Sequence, residues 1–224
     1  MRLVLVRHGE SVANAAGIYQ GWLDSPLSPL GEQQAMATAR ALAARADLRP
    51  IAVYASPLLR AWRTGEAIAA ALGLTAVPHP GLREINVGAA TGLAFTAVDA
   101  RWPQLATERV SLGLDHGWPE GETGRTFGAR VAATLEEIIA RHQRPTALES
   151  PEETVILASH GGTIRFALAY LRGDVANRWP DDAVRNCSLA EIALAPTGHR
   201  VISLDRCDHL VSGDDEDRVG TAFA

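Results

Sequence analysis

Cysteine is scarce in these 224 residues: only Cys187 and Cys207 occur, with no metal-ligand spacing between them. A disulfide scaffold is excluded, and both read as ordinary thiols. An excess of basic charge is missing too. The net charge is -5, and no stripe of Lys and Arg interleaved with aromatics runs through the chain, which excludes a nucleic-acid surface. Any anionic ligand must be drawn by a local group of arginines and not by the overall field. No segment approaches the roughly 20 apolar residues of a membrane span. The apolar run after Arg2 is four residues long before Arg7 interrupts it, too short for a signal peptide. The expectation is a cytoplasmic protein without a membrane partner. There is no internal repeat.

What is present is a chain long enough to bury a full core, read as one domain over 1–210 with an acidic, mobile tail over 211–224. Leu3 to Val6 form a short apolar run, read as a buried strand, that stops at Arg7, His8 and Gly9. Ser28-Pro29 reads as an N-cap and first helical position, followed by Ala35, Ala39, Leu42 and Ala46 on one helical face. A second apolar strand, 51–55, runs into Ser56-Pro57, read as a further N-cap pair. The helix it opens carries Leu58, Ala61, Gly65, Ile68 and Leu72 on its core face, with Arg60 off that face. A third strand is expected over 75–77. Residues 81–121 are poorly periodic apart from a helix over 95–102, and are read as a lid or substrate-facing insertion. A clear helix follows over 122–142. Another buried strand, 155–158, ends in Ser159-His160-Gly161-Gly162 before a helix. Two late strands, 188–194 and 201–204, join through Pro-Thr-Gly-His. The alternation predicts a three-layer α/β/α sandwich with a mostly parallel central sheet.

In such sheets ligands bind outside the carboxyl ends of the strands. Three strand ends deliver Arg7 and His8, Ser56 with the nearby Arg60, and His160. Two arginines and two histidines beside a helix N-terminus suit a compact dianion, and phosphate fits best. Guanidinium groups donate in pairs to phosphate oxygens and stabilise charge on the equatorial oxygens during transfer. A histidine in line with the leaving group serves as nucleophile, so that no metal or other cofactor is required.

Leu5-Val6-Arg7-His8-Gly9-Glu10-Ser11 with Asn14 resembles the signature of the histidine phosphatase superfamily, the phosphoglycerate-mutase-like group. The resemblance continues in order through Gln20-Gly21-Trp22, Leu27-Ser28-Pro29-Leu30-Gly31, Ser56-Pro57-Leu58-Leu59-Arg60-Ala61 with Thr64, Leu82-Arg83-Glu84 with Gly88, and Ser159-His160-Gly161-Gly162. It implies that His8 is phosphorylated, with Arg7, Asn14, Arg60 and His160 holding the phosphoryl group. Glu84 is then the acid that protonates the leaving oxygen and the base that activates water. Ser11, Gln20, Gly21 and the Gly161 N–H are further substrate-binding candidates.

Each assignment has a plainer counterpart. Arg7 could cap a strand, Arg60 could be solvated, Asn14 could be a turn residue, and Glu32, Glu66 and Glu122 are carboxyls as available as Glu84. Trp22, Trp102 and Trp118 could wall the substrate or simply cover core. His116, Arg109 and Arg125 are open as specificity groups, whereas His79, His142, His199 and His209 read as surface residues. Mutases of the resembling group carry Glu-Arg-His-Tyr-Gly and a pair of adjacent arginines. Here the block is Glu84-Ile85-Asn86-Val87-Gly88, and no adjacent arginines occur. Pro119-Glu120-Gly121-Glu122-Thr123 resembles the phosphatase branch's Pro-x-Gly-Glu-Ser. The expected activity is a metal-independent phosphomonoesterase of the histidine acid type, acting on a small phosphorylated metabolite. A mutase and a non-catalytic phosphate-binding protein are the alternatives, and a homodimer is left open.

Overall fold

In a computed structural model, which describes residues 1–142, 152–174, 176–195 and 198–210, strand β1 (Arg2–Arg7) has Leu3, Val4, Leu5 and Val6 all buried. An unbroken apolar run needs cover on both faces, and the side chains divide accordingly. Leu3 and Leu5 enter a core with Phe127, Val131 and Leu135 of α6 (Gly124–His142) and Leu168 of α7 (Gly161–Arg172). Val4 and Val6 enter a second core with Ala39 and Leu42 of α2 (Pro29–Ala43) and Ile68 of α3 (Leu59–Ala71). Helices therefore cover both faces of one sheet, the three-layer α/β/α arrangement that the sequence predicts.

Beside β1 lie β2 (Arg49–Ala55), β3 (Ala76–Pro78), β4 (Glu153–Ser159), β5 (Leu189–Ala195) and β6 (Gly198–Arg206). Among the described residues the sheet has six strands, in the order β3-β2-β4-β1-β5-β6. β3, β2, β4 and β1 run parallel, while β5 and β6 add antiparallel. Arg7 lies opposite Ser159 and Ala55 opposite Ala158, so the three strands expected to carry chemistry are neighbours ending at one level.

Several boundaries differ from the sequence expectation. Ser56 does not cap α3. The cap residue is Leu58, without a side-chain cap bond. Ser56 N–H still donates to Ala158 O within the sheet (2.9 Å), and its Oγ accepts from Leu58 N–H while facing His160, so the helix starts later. Within 81–121, α4 (Phe95–Arg101) is joined by a second helix, α5 (Leu105–Leu112), which the sequence reading missed because it buries no residue of its own. Much of this stretch is core, with Leu82, Ile85, Val87, Ala90 and Val98 buried. His142 and His209 are half-buried, not surface groups: His142 Nε2 meets Tyr54 Oη at 2.9 Å and His209 Nε2 meets Thr38 Oγ1 at 3.0 Å. The acidic tail, most of the 144–153 connection, and Pro196 and Thr197 of the late turn lie outside the described residues. Among the described residues, no helix is long and apolar enough to cross a membrane.

Candidate active site

The loop after β1 is pressed against the start of α2 backbone to backbone. A Cβ on Gly9 would stand 2.4 Å from Gly31 O, and one on Gly31 would stand 1.9 Å from Glu10 O, so both positions require glycine. Ser28 caps α2 by accepting from Gly31 N–H (3.0 Å) and donates to Glu10 Oε1 (2.7 Å), tying the same loop down. His8 N–H donates to Ser159 O (2.9 Å), which continues the sheet ladder one residue further and fixes the imidazole's origin.

His8 is 3% exposed. Its Nδ1 is 2.7 Å from the Gly9 carbonyl, which can only accept, so Nδ1 carries the proton and Nε2 keeps its lone pair. Arg60 Nε–H points at that lone pair from 3.2 Å. The sequence reading set Arg60 apart from the core face, but it is buried to 1% exposure in the first turn of α3, with its Nη atoms donating to Leu23 O and Gly21 O, each at 2.9 Å. The His160 ring is edge-on to His8, with centroids 5.1 Å apart, and its Nε2 meets Ser56 Oγ at 2.8 Å. Arg7 donates through Nη1 to Val184 O (2.7 Å). Arg7 Nε and His160 Nδ1 are buried without a hydrogen-bond partner among the described residues, as expected of a pocket shaped for a ligand.

Burial pulls the His8 imidazole well below the ordinary histidine range, and the charges of Arg60 and Arg7 act in the same direction. His160 is lowered likewise, by burial first and then by Arg60. Burial also brings Arg7 and Arg60 down to about 10, which leaves both cationic at neutral pH. The pocket thus combines two neutral imidazoles with two guanidinium charges.

Glu84, 4% exposed, closes the group. Its Oε2 accepts from Gly162 N–H (3.1 Å) in the first turn of α7, and Oε1 accepts from its neighbour Ile85 N–H (2.9 Å). A Cβ on Gly162 would stand 2.4 Å from Oε1, so glycine makes room for the carboxyl. The backbone of Glu84 is anchored from outside. Trp22 Nε1 and Arg130 Nη2 both donate to its carbonyl (2.7 and 3.2 Å), and Arg130 Nη1 donates to Arg83 O and Gly81 O. Arg130 is held in turn by Glu122, whose Oε2 also accepts from Asn86 N–H (2.8 Å).

Arg7, His8, Arg60, Glu84 and His160 are therefore brought together. Ser11 and Asn14 instead form a capping box on the short helix α1 (Val12–Ala15), and Ser11 Oγ donates to Gln20 Oε1 (2.7 Å). Among the described residues, none of these three side chains hydrogen-bonds the central five; Gly21 joins them through its carbonyl alone. Gly161 opens α7 against the guanidiniums of Arg165 and Arg7. Trp118, His116 and Arg109 line a cleft beside Glu84, whereas Arg125 pairs with Asp115 at the exposed surface and Trp102 packs against the core. Sequence reasoning missed Arg130 and Arg165. The usable signals were an arginine beside the apolar stripe of α6 and one a full turn beyond Gly161.

The model of the histidine phosphatase superfamily (branch 1) matches residues 3–206. The glucosyl-3-phosphoglycerate phosphatase of Mycobacterium tuberculosis is 34% identical over 182 residues, 80% of this chain and 78% of that protein. A probable phosphoglycerate mutase, GpmB, of Yersinia pestis is 32% identical over 193 residues, 86% of this chain and 84% of its own. Among solved structures, a mycobacterial glucosyl-3-phosphoglycerate phosphatase complexed with VO3 superposes with a TM-score of 0.80 at 29% identity, covering 92% of this chain and 99% of that one.

Proposed function

The chain belongs to the histidine phosphatase superfamily, branch 1, and from this premise we propose that it is a metal-independent phosphomonoester hydrolase working through a phosphohistidine at His8. One observation carries the reading: His8 donates from Nδ1 to Gly9 O and turns an unprotonated Nε2 into a pocket holding the Arg60 guanidinium and the neutral His160. An incoming phosphoryl group draws Arg60 Nε–H from the His8 lone pair onto its own oxygen. Nε2 is then free to attack phosphorus. The P–N bond forms as the ester P–O bond breaks, and the Glu84 carboxyl gives its proton to the departing oxygen. Glu84 next takes a proton from water, whose oxygen attacks phosphorus and breaks the P–N bond. Phosphate and neutral His8 result. Arg7 and Arg60 supply the positive charge that neutralises the equatorial oxygens in both steps.

Relatives named as phosphatases support water as the acceptor, and so does the absence of adjacent arginines. With p-nitrophenyl phosphate in EDTA, the protein should release phosphate, and His8→Ala should lower the rate at least 1,000-fold. An unchanged rate in that variant sinks the nucleophile assignment. With 3-phosphoglycerate, isomer formed without free phosphate would replace the hydrolase by a mutase.

A further inference from the structure

Two consecutive peptide planes follow His8, and each is gripped at both edges. A trans peptide points its C=O and its N–H in opposite directions, so a partner on each edge stops the plane from turning. In the His8–Gly9 peptide the carbonyl accepts from Asn186 Nδ2 (3.0 Å) and the N–H donates to Thr64 Oγ1 (3.2 Å). In the Gly9–Glu10 peptide the N–H donates to Gln34 Oε1 (2.8 Å), and the carbonyl is the one that accepts from His8 Nδ1 (2.7 Å). The three holders stand on separate elements: Gln34 on α2, Thr64 on α3, and Asn186 in the turn that leads into β5. They are themselves held. Thr64 Oγ1 donates to Arg60 O (2.9 Å), which leaves its lone pairs for Gly9 N–H. The Asn186 turn is closed by Ser188 N–H on Arg185 O (3.0 Å), and Cys187, left-handed at φ 56°, sends its N–H to Arg7 O (3.1 Å).

This grip has a chemical consequence. When Nε2 bonds to phosphorus the imidazole becomes cationic, and Nδ1–H shares the charge. In that step Arg60 has turned to the phosphoryl oxygens, and Gly9 O is the acceptor left facing the ring. A carbonyl fixed on Nδ1 beforehand stabilises the charge without reorganising as the bond forms. The Gln34 hydrogen bond on the far edge of the same peptide polarises that carbonyl and makes it a stronger acceptor.

We propose that Gln34, Thr64 and Asn186 are positioning residues for the nucleophile, fixing two successive peptides so that Gly9 O stays on His8 Nδ1 while Nε2 attacks phosphorus. The proposal rests on His8 as nucleophile in the hydrolase reading given above.

The test uses magnetic resonance on protein isotope-labelled at the histidine ring nitrogens, with His8→Ala identifying the His8 signals. Solvent exchange of the His8 Nδ1 proton should be at least about tenfold faster in Gln34→Met, which removes the acceptor at nearly constant length. Gln34→Glu keeps an acceptor oxygen and should stay within about threefold of the wild-type exchange rate. With p-nitrophenyl phosphate, Gln34→Met should lose about 10- to 100-fold in kcat with KM within about twofold of wild type, and Gln34→Glu should recover most of the kcat. Asn186→Ala and Thr64→Val act on the neighbouring peptide and should move both readings in the same direction, and they decide the matter if Gln34→Met does not fold. Wild-type Nδ1 exchange in these variants overturns the proposal, as does an unaltered kcat in a protein that turns over. Equal losses in Gln34→Met and Gln34→Glu also overturn it, since packing and not acceptance would then be at work. The exchange reading needs no turnover: a wild-type protein inert towards p-nitrophenyl phosphate counts against the hydrolase reading, while the Nδ1 proton still decides the grip.

Discussion

At the scale of single residues, the site depends on keeping two imidazoles uncharged beside two arginines. His8 and His160 are held below the ordinary histidine value in the fold, by burial first and by Arg60 next. Below pH about 6.5 the unfolded chain takes up protons that the native state refuses. Stability should therefore fall as pH drops beneath that value, by about 1.4 kcal/mol per pH unit for each histidine. Urea unfolding at pH 7.0, 6.0 and 5.5 measures this slope, to which His116 and His209, also lowered by burial, contribute, and His160→Gln should remove one histidine's share of it. A flat stability profile would show that the imidazoles are not kept neutral by the fold. Gly162→Ala works on the neighbouring group: a methyl 2.4 Å from Glu84 Oε1 forces the carboxyl aside. Steady-state kinetics should show kcat reduced about 100-fold, in the range for losing a general acid, with the melting temperature little changed.

At the scale of elements, the Glu84 loop is positioned by α6, which the sequence did not disclose. Arg130 donates to three loop carbonyls and is paired with Glu122, which itself caps Asn86 N–H. Arg130→Met should lower kcat by about 10- to 100-fold with little change in KM, because it loosens the acid without touching the phosphate. Arg130→Lys should not restore it, since one ammonium cannot reproduce the guanidinium's fixed fork. An unaltered kcat for Arg130→Met would make the clamp purely structural. The strand ends were legible because an apolar run that stops at a charged or imidazole side chain is a local pattern, as with Arg7, His8 and His160. Ser28-Pro29 was legible for the same reason. Arg60 was harder: counting apolar residues assigns a helix its buried face but overlooks a cation buried on carbonyls. Arg130 was hidden by distance, the loop carbonyls it holds lying 46 to 49 residues away. α5 has too little buried surface to leave a period, and the late start of α3 is set by Ser56 serving His160 and the sheet.

At the scale of the molecule, charge is divided between the two ends of the sheet. At the amino ends of β1 and β2, Glu191, almost fully buried, accepts from Arg45 (2.7 Å), which also pairs with Asp47, and Arg2 lies 3.5 Å from Glu191. The Arg45 hydrogen bond holds Asp47 well below the usual carboxylate range. Arg45→Met would leave the buried carboxylate with the more distant Arg2. It should cost about 2 kcal/mol, less than for a fully enclosed pair because Arg45 is partly exposed. Chemical denaturation measures the loss, and kcat should be unaffected since the change is at the opposite end of the sheet. At the carboxyl ends, the three strands bearing Arg7, Ser56 and Ser159 are adjacent and interior, with β3 outside on one flank and β5 and β6 on the other. Interior strands exchange their amide hydrogens last, because they open only when the whole molecule does. The amides of Val6, Ala55 and Ala158 should thus outlast those of β6, and inactivation on heating should track global melting with no earlier step: the chemical centre is the part of the chain that lets go last.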